Sequence, residues 1–83
     1  MSIDEIKKIV NRIFLETFQD LDEDTFDFNR KQEEFENWDS LSHIELISKV
    51  ENNFDISLEI GEVIGLNSPQ NLVEIVEKKL RSK

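Results

Sequence analysis

The chain has 83 residues and is acidic, with 19 Asp and Glu against 10 Lys and Arg and a net charge of −9 at pH 7. This length predicts one domain over residues 1–83, with a modest core and little room for a deep enzyme site. The charge disfavours binding to nucleic-acid phosphates and favours protein partners with basic surfaces, and the lack of cysteine excludes disulfides, thiolate metal sites and a cysteine nucleophile.

The chain shows no apolar leader and no apolar run long enough to span a membrane, which predicts a soluble, cytoplasmic protein. Only two glycines and one proline are present, and this scarcity of turn residues indicates a mostly helical fold.

A first amphipathic helix is predicted from residue 3 to about residue 18. Ser2 and Glu5 have the spacing of a capping box, in which each side chain binds the other residue's backbone N–H. The residues of the face that we expect to be buried then recur at helical spacing on one stripe. They are Ile3, Ile6, Val10, Ile13, Phe14 and Thr17.

Residues 19–39 are acidic and lack a sustained helical period, so they predict a long loop. A structureless loop of this length is unusual in a compact domain. We therefore expect its apolar side chains to hold it against the helices, with a short helical turn near residues 30–34. Those side chains are Leu21, Phe26, Phe28 and Phe35.

Asp20, Asp22 and Asp24 resemble the opening of a calcium-binding loop. Such a loop needs glycine at its sixth position and glutamate at its twelfth, where this chain has Thr25 and Lys31. Beginning the loop at Asp22 supplies the last glutamate but places Phe26 at a ligand position. Neither alignment works, so the sequence predicts no metal site.

A second helix is predicted over residues 40–53, with Asp39 as its N-cap and Trp38 as a core residue that fixes the entry to the helix. Leu41 and Ile44 lie off the buried stripe, beside Ser40. They form either a surface for transient docking or a patch that loop 19–39 covers. The predicted buried stripe consists of His43, Leu46, Ile47, Val50 and Phe54.

Residues 55–58 indicate an extended connector, and Ile60, Val63 and Ile64 fit a short third helix over residues 59–64 that closes near Gly65. A fourth helix begins with Ser68 as cap and Pro69 at its first position. Its buried stripe is Leu72, Val73, Val76 and Leu80. The predicted fold is all-α: a small four-helix bundle with three longer helices, a short third helix and a long first loop.

Ser40 lies where first-turn N–H groups and the helix dipole favour a phosphate, so it is either an ordinary cap or a phosphate attachment point. Asp39, Ser40 and His43 also suggest a hydrolase triad. Adjacent Asp39 and Ser40 cannot form one, because the aspartate could not orient the imidazole from behind, and no nucleophile elbow is present. We predict that His43 is a packed, hydrogen-bonded residue, with the lining of an acyl pocket as the weaker alternative.

The segment Asp39-Ser40-Leu41, in a small, acidic, cysteine-free helical chain, resembles the modification motif of acyl carrier proteins. The three-residue motif is weak by itself, but the resemblance extends from about residue 3 to about residue 80. It implies a non-catalytic carrier with 4′-phosphopantetheine on Ser40. A magnesium-using transferase would take this group from coenzyme A, and its thiol would hold an acyl or aminoacyl group as a thioester. Asp39 and Leu41 would complete the attachment motif.

The resemblance also implies that the carrier docks on basic patches of its partner enzymes. The matching positions are Leu41, Ile44, Glu45, Glu51 and Glu62. The sequence shows no large second apolar face, so we expect a monomer. The glycine common two residues before the aspartate is here Asn37, and Trp-Asp-Ser-Leu-Ser-His-Ile resembles free-standing carriers of specialised biosynthesis rather than housekeeping fatty-acid synthesis. The rival hypothesis is an acidic helical adaptor that binds proteins and is never modified.

Overall fold

The computed structural model describes residues 1–18, 21, 26–35 and 37–82, and these ranges contain four α-helices and one 3₁₀ turn. The helices are α1 (Ile3–Thr17), α2 (Ser40–Phe54), α3 (Ile60–Gly65) and α4 (Pro69–Arg81), and the 3₁₀ turn spans Gln32–Glu34. No β-strand occurs in these described ranges. The prediction of an all-α fold with three longer helices and a short third helix is confirmed, and the predicted helix ends agree within one residue.

α1, α2 and α4 begin at the capping residues that the sequence indicates. The Oγ of Ser2 accepts a hydrogen bond from the N–H of Glu5 at 3.3 Å, and the Glu5 carboxylate accepts from the N–H of Ser2 at 3.4 Å. The Oγ of Ser68 accepts from the N–H of Asn71 at 3.0 Å, and Pro69 follows as the first residue of α4. These side chains bind first-turn N–H groups that a helix leaves unpaired.

The core lies where α1 packs against both α2 and α4. α1, α2 and α4 contribute the stripes that the sequence predicts, except that Ile3 is 40% exposed and that His43 and Leu80 are only half-buried. Thr17 is also only half-buried at the end of α1, where its hydroxyl donates to the carbonyl of Ile13 at 2.8 Å. The fully buried aliphatic residues are Ile6, Val10, Ile13, Leu46, Val50, Leu66, Leu72, Val73 and Val76.

An aromatic cluster centred on Phe14 holds the long loop onto the bundle. The Phe14 ring is fully buried, and its centroid lies 5.3–6.0 Å from four other aromatic rings. Those rings belong to Phe18, Phe26, Phe35 and Trp38, of which the last three come from the loop. The prediction that loop aromatics pin this segment to the helices is therefore confirmed.

Backbone hydrogen bonds fasten the same loop to the start of α4. The N–H of Gln32 donates to the carbonyl of Asn67 at 2.6 Å, and the N–H of Gln70 donates to the carbonyl of Phe28 at 2.8 Å. The side-chain amide of Gln32 also donates to the carbonyl of Trp38 at 3.3 Å. Together these bonds fix the path by which the chain enters α2.

The calcium-loop positions Asp20, Asp22, Asp24 and Thr25 lie outside the described residues. Within the ranges that are described, no cluster of three or more potential metal ligands occurs. None of the helices found there is long and apolar enough to span a bilayer.

Candidate functional site

Ser40 is the first residue of α2 and is exposed to solvent. The residue that caps this helix is Asp39, whose Oδ1 accepts a hydrogen bond from the N–H of Ser42 at 2.9 Å. Asp39 has the extended backbone typical of an N-cap, with φ −97° and ψ −172°. Ser40 is therefore not the capping residue. Of the two roles that the sequence allows for it, N-cap and phosphate attachment point, the first belongs to Asp39.

The electrostatics at this end of α2 favour negative charge. The hydrogen bond from the Ser42 N–H is the main cause that lowers the pKa of Asp39 below its usual 3.8, so this carboxylate is ionised at neutral pH. The positive end of the helix dipole and the first-turn N–H groups also favour negative charge here. A phosphate ester on Ser40 would lie at a helix terminus suited to anions.

His43 lies one turn after the cap, and both of its ring nitrogens make hydrogen bonds within the fold. Its Nδ1 accepts from the indole Nε1–H of Trp38 at 2.9 Å, and its Nε2 lies 2.7 Å from the carbonyl oxygen of Val63. A carbonyl can only accept, so Nε2 carries the proton and the ring is the neutral tautomer with both nitrogens bonded. The Trp38 side chain itself is buried.

These bonds confirm the prediction that His43 is a packed, hydrogen-bonded residue, and the burial of Trp38 confirms that it is a core residue. They also exclude a triad, because the imidazole nitrogens bind Trp38 and Val63, so neither is left to act as a base for Ser40. The His43 ring instead joins the end of the long loop, α2 and α3 at one point.

Leu41 and Ile44 are 68% and 61% exposed, beside Ser40 on the outer side of α2. No part of the loop that the structure describes covers them, so the docking hypothesis is favoured over the covered patch. Glu45 is exposed as well and continues this surface with negative charge. The structure thus brings Ser40 together with three of the five predicted docking residues.

The other two predicted docking residues, Glu51 and Glu62, make contacts within the fold. The half-buried Glu51 accepts from the N–H of Leu58 at 2.9 Å. Glu62 accepts from the N–H of Glu59 at 2.9 Å and pairs with Lys79 of α4 at 2.8 Å. Both carboxylates therefore stabilise the connector and α3, and a part in docking stays a prediction for each.

Two residues that the sequence predicts only as part of the third helix are highly exposed. Ile60 and Ile64 are 79% and 77% exposed, although the same segment buries Leu66 and half-buries Val63. Their spacing of four residues was a usable signal, because it places both on one helical face. The sequence could not show that this face would be the outer one.

The ion pair between Glu62 and Lys79 makes the stability of the domain depend on pH. The hydrogen bond to Lys79 lowers the pKa of Glu62 below 4.5, and the same bond raises the pKa of Lys79 above 10.5. The ion pair therefore stabilises the domain at pH values between these two ordinary pKa values. Its contribution is lost as acid protonates Glu62 or as alkali deprotonates Lys79. We expect Glu62→Gln to be less stable than the wild type at neutral pH and to lose less stability between about pH 5 and pH 3, measured by urea unfolding.

Glu77→Gln is the matched control for this prediction. Glu77 pairs with Arg81 at 3.2 Å one turn along α4, but the arginine side chain is 75% exposed. Such surface pairs contribute little, so this variant should follow the wild-type pH profile. Equal pH profiles for Glu62→Gln and the wild type would contradict the assigned role of the ion pair.

The comparisons with known proteins gave matches among solved structures only. No protein-family model matches the chain, and neither does any curated protein. Among solved structures, it is similar to the solution NMR structure of a holo acyl carrier protein from Geobacter metallireducens. The TM-score is 0.79 at 30% sequence identity, over 93% of this chain and 87% of that one.

The fold and the site together define a small helical domain of carrier type, with an exposed serine at the start of its second helix. On this structural match, at 30% identity over most of both chains, the chain belongs to the acyl carrier protein family.

Proposed function

We propose that this protein is a free-standing carrier that holds acyl or aminoacyl groups as thioesters on 4′-phosphopantetheine attached to Ser40. The observation that carries this proposal is the position of Ser40, exposed at the first residue of α2 while Asp39 supplies the cap. The Asp39-Ser40-Leu41 sequence and the likeness to a holo acyl carrier protein support the same assignment.

The residues at the start of α2 fit the phosphate end of this group. The serine hydroxyl faces solvent, where a modifying enzyme can approach it, and the helix terminus favours the negative charge that the phosphodiester brings. When bound, the group supplies a thiol that this cysteine-free chain does not otherwise have. The chain itself does no chemistry: it tethers the cargo and raises the cargo's effective concentration at a partner's active site.

The partners would be a phosphopantetheinyl transferase and the enzymes that load and remove the cargo. Leu41, Ile44 and Glu45 offer them an apolar surface with an acidic neighbour, which complements a basic patch. Glu51 and Glu62 would add negative charge on the adjoining elements. We place the protein in the cytoplasm as a monomer that serves a specialised or fatty-acid-like biosynthetic pathway.

The test is incubation of the folded protein with coenzyme A, magnesium and a broad-specificity phosphopantetheinyl transferase, followed by intact-mass measurement. We expect a single added phosphopantetheine, and peptide mapping should place it on Ser40. A folded protein that gains no mass with several transferases would instead support the unmodified adaptor, which would bind its partners through exposed side chains such as Leu41 and Ile44.

A further inference from the structure

α1 borders a surface groove of about 450 Å³ that the carrier function does not use. Lys8 and Arg12 line it, are exposed, and lie one helical turn apart. The Nζ of Lys7, which also lines the groove, lies 5.9 Å from the centre of the Phe28 ring in the long loop. Together with Asp4, these lining residues carry three positive charges and one negative in a chain whose net charge is −9.

The three cations are accessible to a ligand. Among the residues that the structure describes, neither Lys7 nor Lys8 forms an ion pair. The guanidinium of Arg12 donates to the side chain of Asn53 at 3.0 Å and lies 3.8 Å from the Glu16 carboxylate, but the arginine side chain is still 59% exposed. An exposed ion pair of this kind contributes little, so it is easily exchanged for a pair with a ligand.

The groove lies far from the proposed attachment site. Arg12 binds Asn53, which is one residue before the end of α2, whereas Ser40 is the first residue of the same helix. A helix of 15 residues is about 20 Å long, so this separation is close to the full length of α2. A ligand in the groove therefore leaves Ser40 accessible.

We propose that this groove, which we name the α1 groove, binds a short acidic segment of a partner protein in which two carboxylates flank one large apolar side chain. The carboxylates pair with Lys8 and Arg12, which are about 6 Å apart along the helix axis. Alternate residues of an extended segment have a similar spacing, and the side chain between them points the opposite way. That apolar side chain lies against Phe28 and Leu15, which are both half-buried.

This inference goes beyond the proposed function, because it gives the protein a second partner. The enzymes that act on Ser40 approach the start of α2, whereas the acidic segment binds along α1 near the other end of that helix. One protein can therefore stay bound at the α1 groove while another acts on Ser40. Such a tether raises the effective concentration of the carrier near the protein that holds it.

Charge selects a short acidic segment over a lipid surface or a second copy of the chain. An anionic membrane or another copy approaches with its whole charge against the −9 of this molecule. At physiological salt, exposed charges more than about 8 Å apart are largely screened. A short segment therefore interacts mainly with the cations that line the groove.

The test is titration of the nitrogen-15-labelled protein with the peptide Gly-Ser-Glu-Phe-Glu-Ser-Gly, followed by amide chemical shifts in NMR spectra. We expect saturable shifts confined to α1 and the residues around Phe28, with a dissociation constant on the order of 1 mM and at least about fivefold weaker binding by Lys8→Glu. Lysine and glutamate have similar helix propensities, so α1 persists in this variant. Lys78→Glu makes the same charge change at an exposed position of α4 outside the groove and should bind as the wild type does.

The inference is overturned if the wild type shows no shifts, if Gly-Ser-Gln-Phe-Gln-Ser-Gly binds equally well, or if Lys78→Glu loses as much affinity as Lys8→Glu. Co-sedimentation with phosphatidylglycerol vesicles that Lys8→Glu abolishes would identify a lipid surface as the occupant. A dimer that Lys8→Glu converts to a monomer would identify a second copy, and either finding would also overturn the inference. A wild type that binds the peptide but is never modified would remove the proposed function and leave this inference standing.

Discussion

Ser40→Ala is expected to abolish phosphopantetheine attachment completely while the domain stays folded. The substitution removes the acceptor hydroxyl, but the helix cap belongs to Asp39 and remains in place. Alanine is the best helix former, so the free energy of unfolding should change by less than about 0.5 kcal/mol. Intact mass after transferase treatment measures the first effect, and urea unfolding measures the second.

Two neighbouring substitutions make this prediction specific. Ser42→Ala keeps the Ser42 N–H that binds Asp39, so we expect modification at the wild-type level. Asp39→Ala should lower the free energy of unfolding by about 1 kcal/mol, because the first turn of α2 loses its cap. Modification that persists in Ser40→Ala, or a marked loss of helix in that variant, would show that the role of Ser40 is misassigned.

Phe14→Ala is expected to cause the largest loss of stability of any single substitution in this domain. Phe14 is fully buried at the centre of the aromatic cluster, with four rings around it. Truncating such a residue typically costs about 3–5 kcal/mol, out of roughly 5–15 kcal/mol for a whole small domain. The loop aromatics would lose their common partner, so the loop should loosen together with the core.

Urea unfolding followed by Trp38 fluorescence measures this effect, because Trp38 is the only tryptophan and its ring lies 5.3 Å from that of Phe14. Leu15→Ala is the matched control on the adjacent, half-buried position of α1, with an expected loss of about 1 kcal/mol. Similar losses for the two variants would mean that Phe14 is not the centre of the core.

The helices and their caps follow from local rules and could be predicted from the sequence. The capping box at Ser2 and Glu5, the Asp39 cap and the Ser68-Pro69 start all act within four residues. Such contacts form as soon as the helix forms, so the spacing of residue types is sufficient to find them.

For contacts between residues far apart in the sequence, the sequence predicts that a side chain is packed but not which residue it contacts. The sequence indicates that His43 and Trp38 are packed, but not that they bind each other or that His43 reaches the carbonyl of Val63, 20 residues further on. Likewise, α3 could be expected from its apolar residues, but which of them face outward depends on how α3 lies against α2. The exposure of Ile60 and Ile64 is a property of that packing and emerges only in three dimensions.

The sequence predicts how the residues around Ser40 lie together, but it does not predict the partners of the more distant acidic residues. Ser40, Leu41 and Ile44 lie together because they belong to the start of one helix, and their exposure follows from the helical period. The docking role of Glu51 and Glu62 is implied by the resemblance, which matches their positions in the sequence alone. Their partners, the N–H of Leu58 and the side chain of Lys79, depend on the tertiary fold.

A count of free thiols before and after transferase treatment shows directly whether Ser40 carries phosphopantetheine. The chain contains no cysteine, so a thiol-specific colorimetric reagent should detect none in the untreated protein. After treatment with coenzyme A and the transferase, and removal of small molecules, we predict one thiol per chain in the wild type and none in Ser40→Ala. A folded wild-type protein that still shows no thiol after treatment with transferases of different specificity would contradict the carrier assignment.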